Sequence, residues 1–377
     1  MSRDGPLQAA PESSQAAALP LRTQTDDHSP AAPSQQQNAP FDIVRAYREL
    51  LQSDPDITMP VAAIESLIEV LRMIPSSTAM ETVEIVKKEK AKLLASTPNP
   101  LPLLAGADLF IQYLLRALRG QVAAGAGAGG TSSYSSSGRV LSFDETRQHL
   151  LDNRQLFAQR AKAARDNIAI WGSRYVSDGC AVLTAGGSRT VTKILLRAAA
   201  DPSKHFKVIY VVDRGTTDSR SHRAVAQLRE AGLEVETISP HKVAYMLGNQ
   251  KNINLVLVGT EVVMQNGGII SGMGTAQLAH LTKTVKGAIK RFYVAAETHK
   301  IVRKTPIAYP MVNRVGVEQR DISKFENIGL ADPDAVAGML SEQDEVDYTD
   351  PELIDGIITE QGVKMTSQIW EMVDDYI

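Results

Sequence analysis

From Gly179 onward, short apolar runs at Ala181–Leu183, Val208–Val212, Leu255–Val258 and Phe292–Ala295 alternate with helical patterns at Thr190–Ala200 and Arg223–Ala231. Uninterrupted apolar runs of this length suit strands covered on both faces, and strands separated by helices cross over to lie parallel. With a weaker strand at Leu233–Ile238, the pattern predicts a Rossmann-like α/β domain, a parallel sheet with helices on both faces, over residues 172–377. Ligands of such sheets sit beyond the carboxyl ends of the strands. The loops that matter are therefore Thr184–Arg189, Asp213–Thr217, Gly259–Thr275 and Glu297–Lys300.

The first half has a different rhythm. Ile64, Leu67, Ile68 and Leu71 recur at i, i+3, i+4 and i+7, one apolar face of a helix. Thr78 and Glu81 have capping-box spacing ahead of Val83, Ile85 and Val86. Leu109, Tyr113 and Leu114 begin another apolar face, and a further helical pattern runs from about Phe143 to Trp171. Prolines at 55, 60, 75, 98, 100 and 102 punctuate the pieces at their ends. These features predict an all-helical domain over residues 41–171, interrupted by a flexible Gly/Ser insertion at 120–138. Residues 1–40, rich in Pro, Ala, Ser and Gln, bury too little apolar surface to offset ordering and are expected to be a disordered tail.

Composition removes several classes of function. With 40 basic and 43 acidic residues, a non-specific polyanion surface and direct nucleic-acid binding are not expected. No apolar run approaches the about 20 residues of a membrane span, and acidic residues in an N-terminus without an apolar core argue against a secretory signal. The expectation is a cytoplasmic protein that makes no membrane contact. One cysteine, Cys180, excludes an internal disulfide, and the histidines lack metal-ligand spacing.

The Gly259–Thr275 loop is the richest in possible chemistry. Glu261 follows the Leu255–Val258 strand at once, then come Asn266-Gly267-Gly268 and Gly272-Met273-Gly274-Thr275, before a helix from about Ala276. Glycines admit a close ligand, and the N–H groups at a helix start favour an anion such as phosphate. Such a loop suits a sugar phosphate or a nucleotide, although the same glycines also serve plain tight turns. Gly186-Gly187-Ser188-Arg189 is a second turn of this kind, with Arg189 either pairing an anion or making a salt bridge. Asp213 ends its strand like a ribose-binding acid, but no glycine fingerprint precedes it by about 20 residues, which argues against a dinucleotide dehydrogenase. No Ser-His-Asp or metal set is evident.

In combination these motifs resemble a known family. Val258-Gly259-Thr260-Glu261-Val262-Val263, Asn266-Gly267-Gly268-Ile269-Ile270 and Gly274-Thr275 are similar to the signature of the regulatory subunits of translation initiation factor 2B. The same superfamily holds the methylthioribose-1-phosphate and ribose-1,5-bisphosphate isomerases. Ser53-Asp54-Pro55-Asp56 with Val61-Ala62-Ala63-Ile64, Val294-Ala295-Ala296-Glu297 and Val346-Asp347-Tyr348-Thr349 narrow the resemblance to the alpha-subunit branch, over residues 41–377. The isomerases are expected to carry a cysteine in a Thr-His-Cys-Asn turn and an aspartate in a Gly-Ala-Asp turn. This chain has Thr184-Ala185-Gly186-Gly187 and Gly259-Thr260-Glu261 there, and Ser271-Gly272 in place of an Asn-Lys pair.

The resemblance therefore implies a non-catalytic regulatory subunit of the guanine nucleotide exchange factor for initiation factor 2. It implies a homodimer that bridges sets of beta, gamma, delta and epsilon subunits into a decamer and senses the phosphorylated alpha subunit of initiation factor 2. No cofactor is required. A vestigial pocket is expected to accept a sugar phosphate or nucleoside monophosphate, with Glu261 on ligand hydroxyls and Asn266, Gly267, Gly268, Gly274 and Thr275 near the phosphate. Gly186, Arg189, Asp213 and Lys300 are further candidates. The alternatives are an active sugar-phosphate isomerase or a stand-alone metabolite-binding protein.

Overall fold

The computed structural model describes residues 41–54, 56–76, 78–97, 99–125, 148, 151, 156–212, 219–250, 252–286, 289–303 and 346–374. The N-terminal tail and most of the Gly/Ser insertion lie outside them. Residues 120–125, expected to open that insertion, instead complete a helix.

The helices α1 (Ile43–Ser53), α2 (Met59–Met73), α3 (Ala79–Leu94), α4 (Leu101–Gly125) and α5 (Leu156–Gly172) come first. Their starts follow the capping rules. Asp42 accepts from the Val44 and Arg45 N–H groups, and Thr78 Oγ1 accepts from Glu81 N at 3.2 Å. Pro60 lies in the first turn of α2, where its missing N–H costs nothing. The stripe Ile64, Leu67, Ile68 and Leu71 is buried against Ile43, Val86, Phe110 and Leu114. Each such side chain stabilises the fold by roughly 1.5–3 kcal/mol. Tyr113 meets Phe157 edge-on, with centroids 5.7 Å apart, which fastens α5 to α4.

The α5 helix belongs to two cores. Ala161 joins the helical one, while Ile168 and Ala169 pack beneath the sheet that follows. A domain boundary at 171/172 therefore falls at the end of a shared helix, and the helices and sheets form one compact unit.

The strands expected from the apolar runs are all present, as β1 (Ala181–Ala185), β2 (Lys207–Val211), β3 (Glu234–Ile238), β4 (Ile253–Gly259) and β7 (Arg291–Ala295). Helices α6 (Arg189–Ala199), α7 (Ser219–Glu230), α8 (Val243–Asn249) and α9 (Thr275–Thr284) connect them. Two C-terminal strands, β10 (Gly356–Thr359) and β11 (Gly362–Lys364), extend the sheet to the order β11-β10-β7-β4-β1-β2-β3, and α10 (Ile369–Asp374) follows. All its pairings are parallel except β10 with β11. The chain moves outward from β1 to β3, then returns to β4 on the other side of β1. The topological switch point therefore lies between the carboxyl ends of β1 and β4.

Gly259–Thr275 is not the plain loop expected from the sequence. It contains the hairpin β5 (Val262–Met264) and β6 (Ile269–Gly272), which pairs with β8 (Ile301–Val302) and β9 (Val346–Thr349) in a second sheet of order β8-β5-β6-β9. Val262, Met264, Ile270, Val302 and Tyr348 of this sheet bury Leu101, Leu104 and Ala105, the first turn and a half of α4. The small sheet thus seats the helical region beside the carboxyl edge of the large one.

Candidate functional site

The carboxyl edge collects the turns after β1, β4 and β7. Gly186 and Gly187 hold φ of +79° and +61°, the left-handed region that glycine enters without strain. Gly186 is exposed with open space around it, and Gly187 donates its N–H to Tyr210 Oη at 2.9 Å and lies against the Arg220 backbone. Gly259 sits against the Ser188 side chain so closely that no Cβ would fit, which brings the β1 and β4 turns together.

Glu261 lies between the two sheets. Its Oε2 accepts from Asn99 Nδ2, a residue of the helical region, at 2.9 Å. Burial raises its carboxyl, opposed by the positive charges of Arg220 and Lys300 and by the Asn99 bond. Lys300 is committed nearby: its Nζ lies 2.7 Å from Glu297 Oε2 and donates to the Thr260 carbonyl at 3.0 Å. Glu297 is 1% exposed and its Oε1 accepts from Thr190 Oγ1 at 2.9 Å. Burial works against the Glu297 charge, but Lys300 and His299 outweigh it and hold the carboxyl down at about 2.

Several expected ligand groups are engaged by the protein itself. The N–H groups of Gly274 and Ala276, at the start of α9, donate to Asp347 Oδ2 at 2.8 and 3.0 Å. A buried carboxylate from β9 thus occupies the helix-start anion position that the glycines suggested for phosphate. Thr275 Oγ1 donates to the Gly272 carbonyl at 2.6 Å. Asn266 folds back to accept from Gly268 N at 3.0 Å and donates to Tyr348 Oη at 2.8 Å. Gly267, at φ +84°, packs on Thr366, so Asn266-Gly267-Gly268 forms the β5–β6 turn. Arg189, at the start of α6, donates to the Ile57 carbonyl at 3.1 Å and lies near enough to Glu297 for the two charges to interact. Asp213 lies outside the described residues. Of the expected set, the structure brings Gly186, Arg189, Glu261 and Lys300 to the sheet edge, Arg189 being bonded there to the helical region.

Asn99 carries no signal in the sequence, Asp347 enters it only through the Val346–Thr349 motif, and His299 is one of the histidines without metal-ligand spacing. His299 Nε2 lies 3.2 Å from Thr58 Oγ1 across the junction with the helical region. Burial pushes this histidine down to about 4, against the pull of Glu297 and with the help of Lys300 and Arg165. Its ordinary value is near 6.5, so the unfolded chain binds a proton here between pH 6.5 and 4 that the folded chain refuses. This contribution is complete above pH 6.5 and is lost as pH falls toward 4, by an amount of the order of 3 kcal/mol. Asp347, raised to about 6 by burial against its backbone donors, acts in the opposite sense from pH 6 to 4. The difference between wild type and His299→Asn isolates the histidine. In urea unfolding at pH 7.5 and 5.0, the wild type should lose more stability on acidification than the variant.

Among the described residues no group of three or more His, Cys, Asp or Glu is arranged to hold a metal, and no helix is long and apolar enough to cross a membrane. Cys180 is buried just before β1, and burial raises its thiol, the reverse of an activated nucleophile. The edge joins a buried ion pair, Glu297 with Lys300, to a second carboxylate, Glu261, held by Asn99. Between α4 and the turn after β7 a concavity is lined by Asp108, Gln112, Thr298, His299 and Arg303.

Residues 52–366 match the model of the Initiation factor 2 subunit family. The chain is 26% identical to translation initiation factor eIF2B subunit alpha of Dictyostelium discoideum over 299 residues, 78% of this chain and 81% of that protein. It is 25% identical to the same subunit of Caenorhabditis elegans, over 78% of this chain and 88% of that protein. It is also 31% identical to ribose 1,5-bisphosphate isomerase of Archaeoglobus fulgidus over 184 residues, 48% of this chain and 53% of that one. The fold matches crystalline eIF2B beta from Chaetomium thermophilum with a TM-score of 0.64 at 17% identity, covering 88% of this chain and 91% of that one. A match to the family model across nearly all of the helical region and both sheets leaves one assignment: the chain belongs to the initiation factor 2 subunit family.

Proposed function

We propose that this chain is a non-catalytic regulatory subunit, of the alpha type, in the exchange factor for translation initiation factor 2. The observation that carries this reading is the similarity to two alpha subunits over 78% of the chain. The sheet edge supports it. Proton transfer between adjacent sugar carbons needs a positioned acid and base. Here the turn expected to carry a cysteine in the isomerases presents Gly186, and Glu261 is occupied by Asn99. In this reading the chain pairs with itself, joins the beta, gamma, delta and epsilon subunits in a decamer, and presents its helical region to the phosphorylated alpha subunit of initiation factor 2. Binding there and exchange elsewhere are then coupled through the assembly, which is allostery in the sense of two linked sites.

The tetrameric eIF2B-beta2-delta2 complex of Chaetomium thermophilum contains a chain that shares this fold with a TM-score of 0.60 at 19% identity, in keeping with assembly from related subunits. The test is reconstitution. The folded chain should co-assemble with the other four subunits, and phosphorylated initiation factor 2 should slow guanine nucleotide release only when the chain is present. Failure of the folded chain to assemble would remove the proposal.

A second reading, that the edge retains affinity for a sugar phosphate or nucleoside monophosphate, is favoured by one observation. Arg220 and Lys300 both act on Glu261, so cations and an acid face one another at the switch point. Because Asp347 holds the N–H groups of Gly274 and Ala276, a phosphate in this reading is met by those cations.

A further inference from the structure

The Asn99 side chain makes two bonds of different kinds. Its Oδ1 accepts from Leu101 N at 3.3 Å, satisfying an N–H that α4 cannot bond internally, and its Nδ2 donates to Glu261 Oε2 at 2.9 Å. These partners belong to the first turn of the longest helix described and to the junction between the two sheets, 162 positions along the chain. The surrounding sequence leaves little redundancy. Pro100 and Pro102 flank Leu101 and carry no N–H, so neither can supply a substitute donor to Glu261. Leu101 is fully buried on the small sheet, with Leu104 and Ala105, against Val262, Met264 and Ile270. Apolar contacts of this kind press α4 onto the sheet without direction, while a hydrogen bond to a fixed carboxylate sets its position.

We propose that Asn99 and Glu261 form a conformational latch, which fixes the first turn of α4 on the sheet junction and couples the state of Glu261 to the helical region. Asn99 is in this sense a positioning residue. A group that claims Glu261 Oε2 must displace the Asn99 amide, which removes this directional tie from the first turn of α4. The latch differs from two further polar ties across the junction. Arg189 to the Ile57 carbonyl and His299 to Thr58 both hold the α1–α2 turn and leave α4 untouched.

The test reverses the polarity of the latch in the full chain and reads amide hydrogen exchange by mass spectrometry. Asn99→Asp keeps the acceptor for Leu101 N but sets a carboxylate against Glu261. It should speed exchange at Leu104 and Ala105 by about tenfold, the scale of one lost charge-assisted hydrogen bond. Adding Glu261→Gln to Asn99→Asp restores a donor and an acceptor with their roles exchanged, and protection of α4 should return. Amides of the central strands, at Leu183 and Val256, should stay at wild-type protection in both variants. The proposal is overturned if Asn99→Asp leaves α4 unchanged, if the double variant fails to restore it, or if β1 and β4 loosen to the same degree as α4.

Discussion

Glu297→Ala is expected to destabilise the protein by about 3–5 kcal/mol, because it breaks a buried ion pair from one side. The carboxylate, 1% exposed, is held by Lys300 at 2.7 Å and by the Thr190 hydroxyl at 2.9 Å. Truncation takes from Lys300, whose side chain is only 13% exposed, the carboxylate it pairs with and leaves its bond to the Thr260 carbonyl. Three elements then come apart together: the turn after β7, the first turn of α6 and the end of β4. Glu297→Gln should cost less, since an amide still accepts from Thr190 and fills the same volume. The sign with pH follows from the carboxyl being held at about 2, below its ordinary 4.5. Its stabilisation is complete above pH 4.5 and is lost as pH falls through 2. Urea unfolding of the wild type and both variants at pH 7 checks the order. If Glu297→Ala unfolds within about 1 kcal/mol of wild type, the pair is solvated and the buried network is misdescribed.

What the sequence made legible was local in origin. Leu255–Val258 announced β4 because a strand covered on both faces must be apolar throughout. Ile64, Leu67, Ile68 and Leu71 announced α2 because one face of it supplies the helical core. Thr78 was recognisable as a cap because its partner, Glu81, is three residues away. The small sheet was not legible. Its strands have two to four residues, and β6 finds β9 far downstream, Ile270 pairing with Tyr348 and Gly272 with Val346. Nothing local marks such a pairing.

The candidate site divides along the same line. Glu261 and Lys300 stood out by position after a strand, and the structure brings both to the sheet edge. The glycines at 267 and 274 stood out too, but a glycine-rich helix start looks the same whether it meets a phosphate or a distant carboxylate. The carboxylate that meets this one, Asp347, is 73 residues from Gly274. Asn99 was hidden in a proline-rich stretch that reads as a plain helix start.

Gly106→Ala should destabilise the helical region by about 1–3 kcal/mol, although alanine is the better helix former by about 1 kcal/mol. Gly106 lies within α4 where that helix crosses α2. A Cβ there would stand 2.7 Å from the carbonyl carbon of Pro60 and 2.8 Å from its Cα, and closer still to the carbonyl oxygen. These are backbone atoms in the first turn of α2, so no side chain can rotate out of the way. The helices would have to separate, which loosens the packing of Ala62, Ala63, Leu103 and Ala107, all fully buried. Gly248, in α8, is the control. A Cβ there meets only Val285 Cγ1 at 3.7 Å, an ordinary contact. Gly248→Ala should therefore be neutral or stabilising by up to about 1 kcal/mol, through lost freedom of the unfolded chain. One substitution made at two helical glycines should thus give opposite signs in the same denaturation experiment. Equal effects at both would mean that α2 and α4 do not approach as closely as their backbones require.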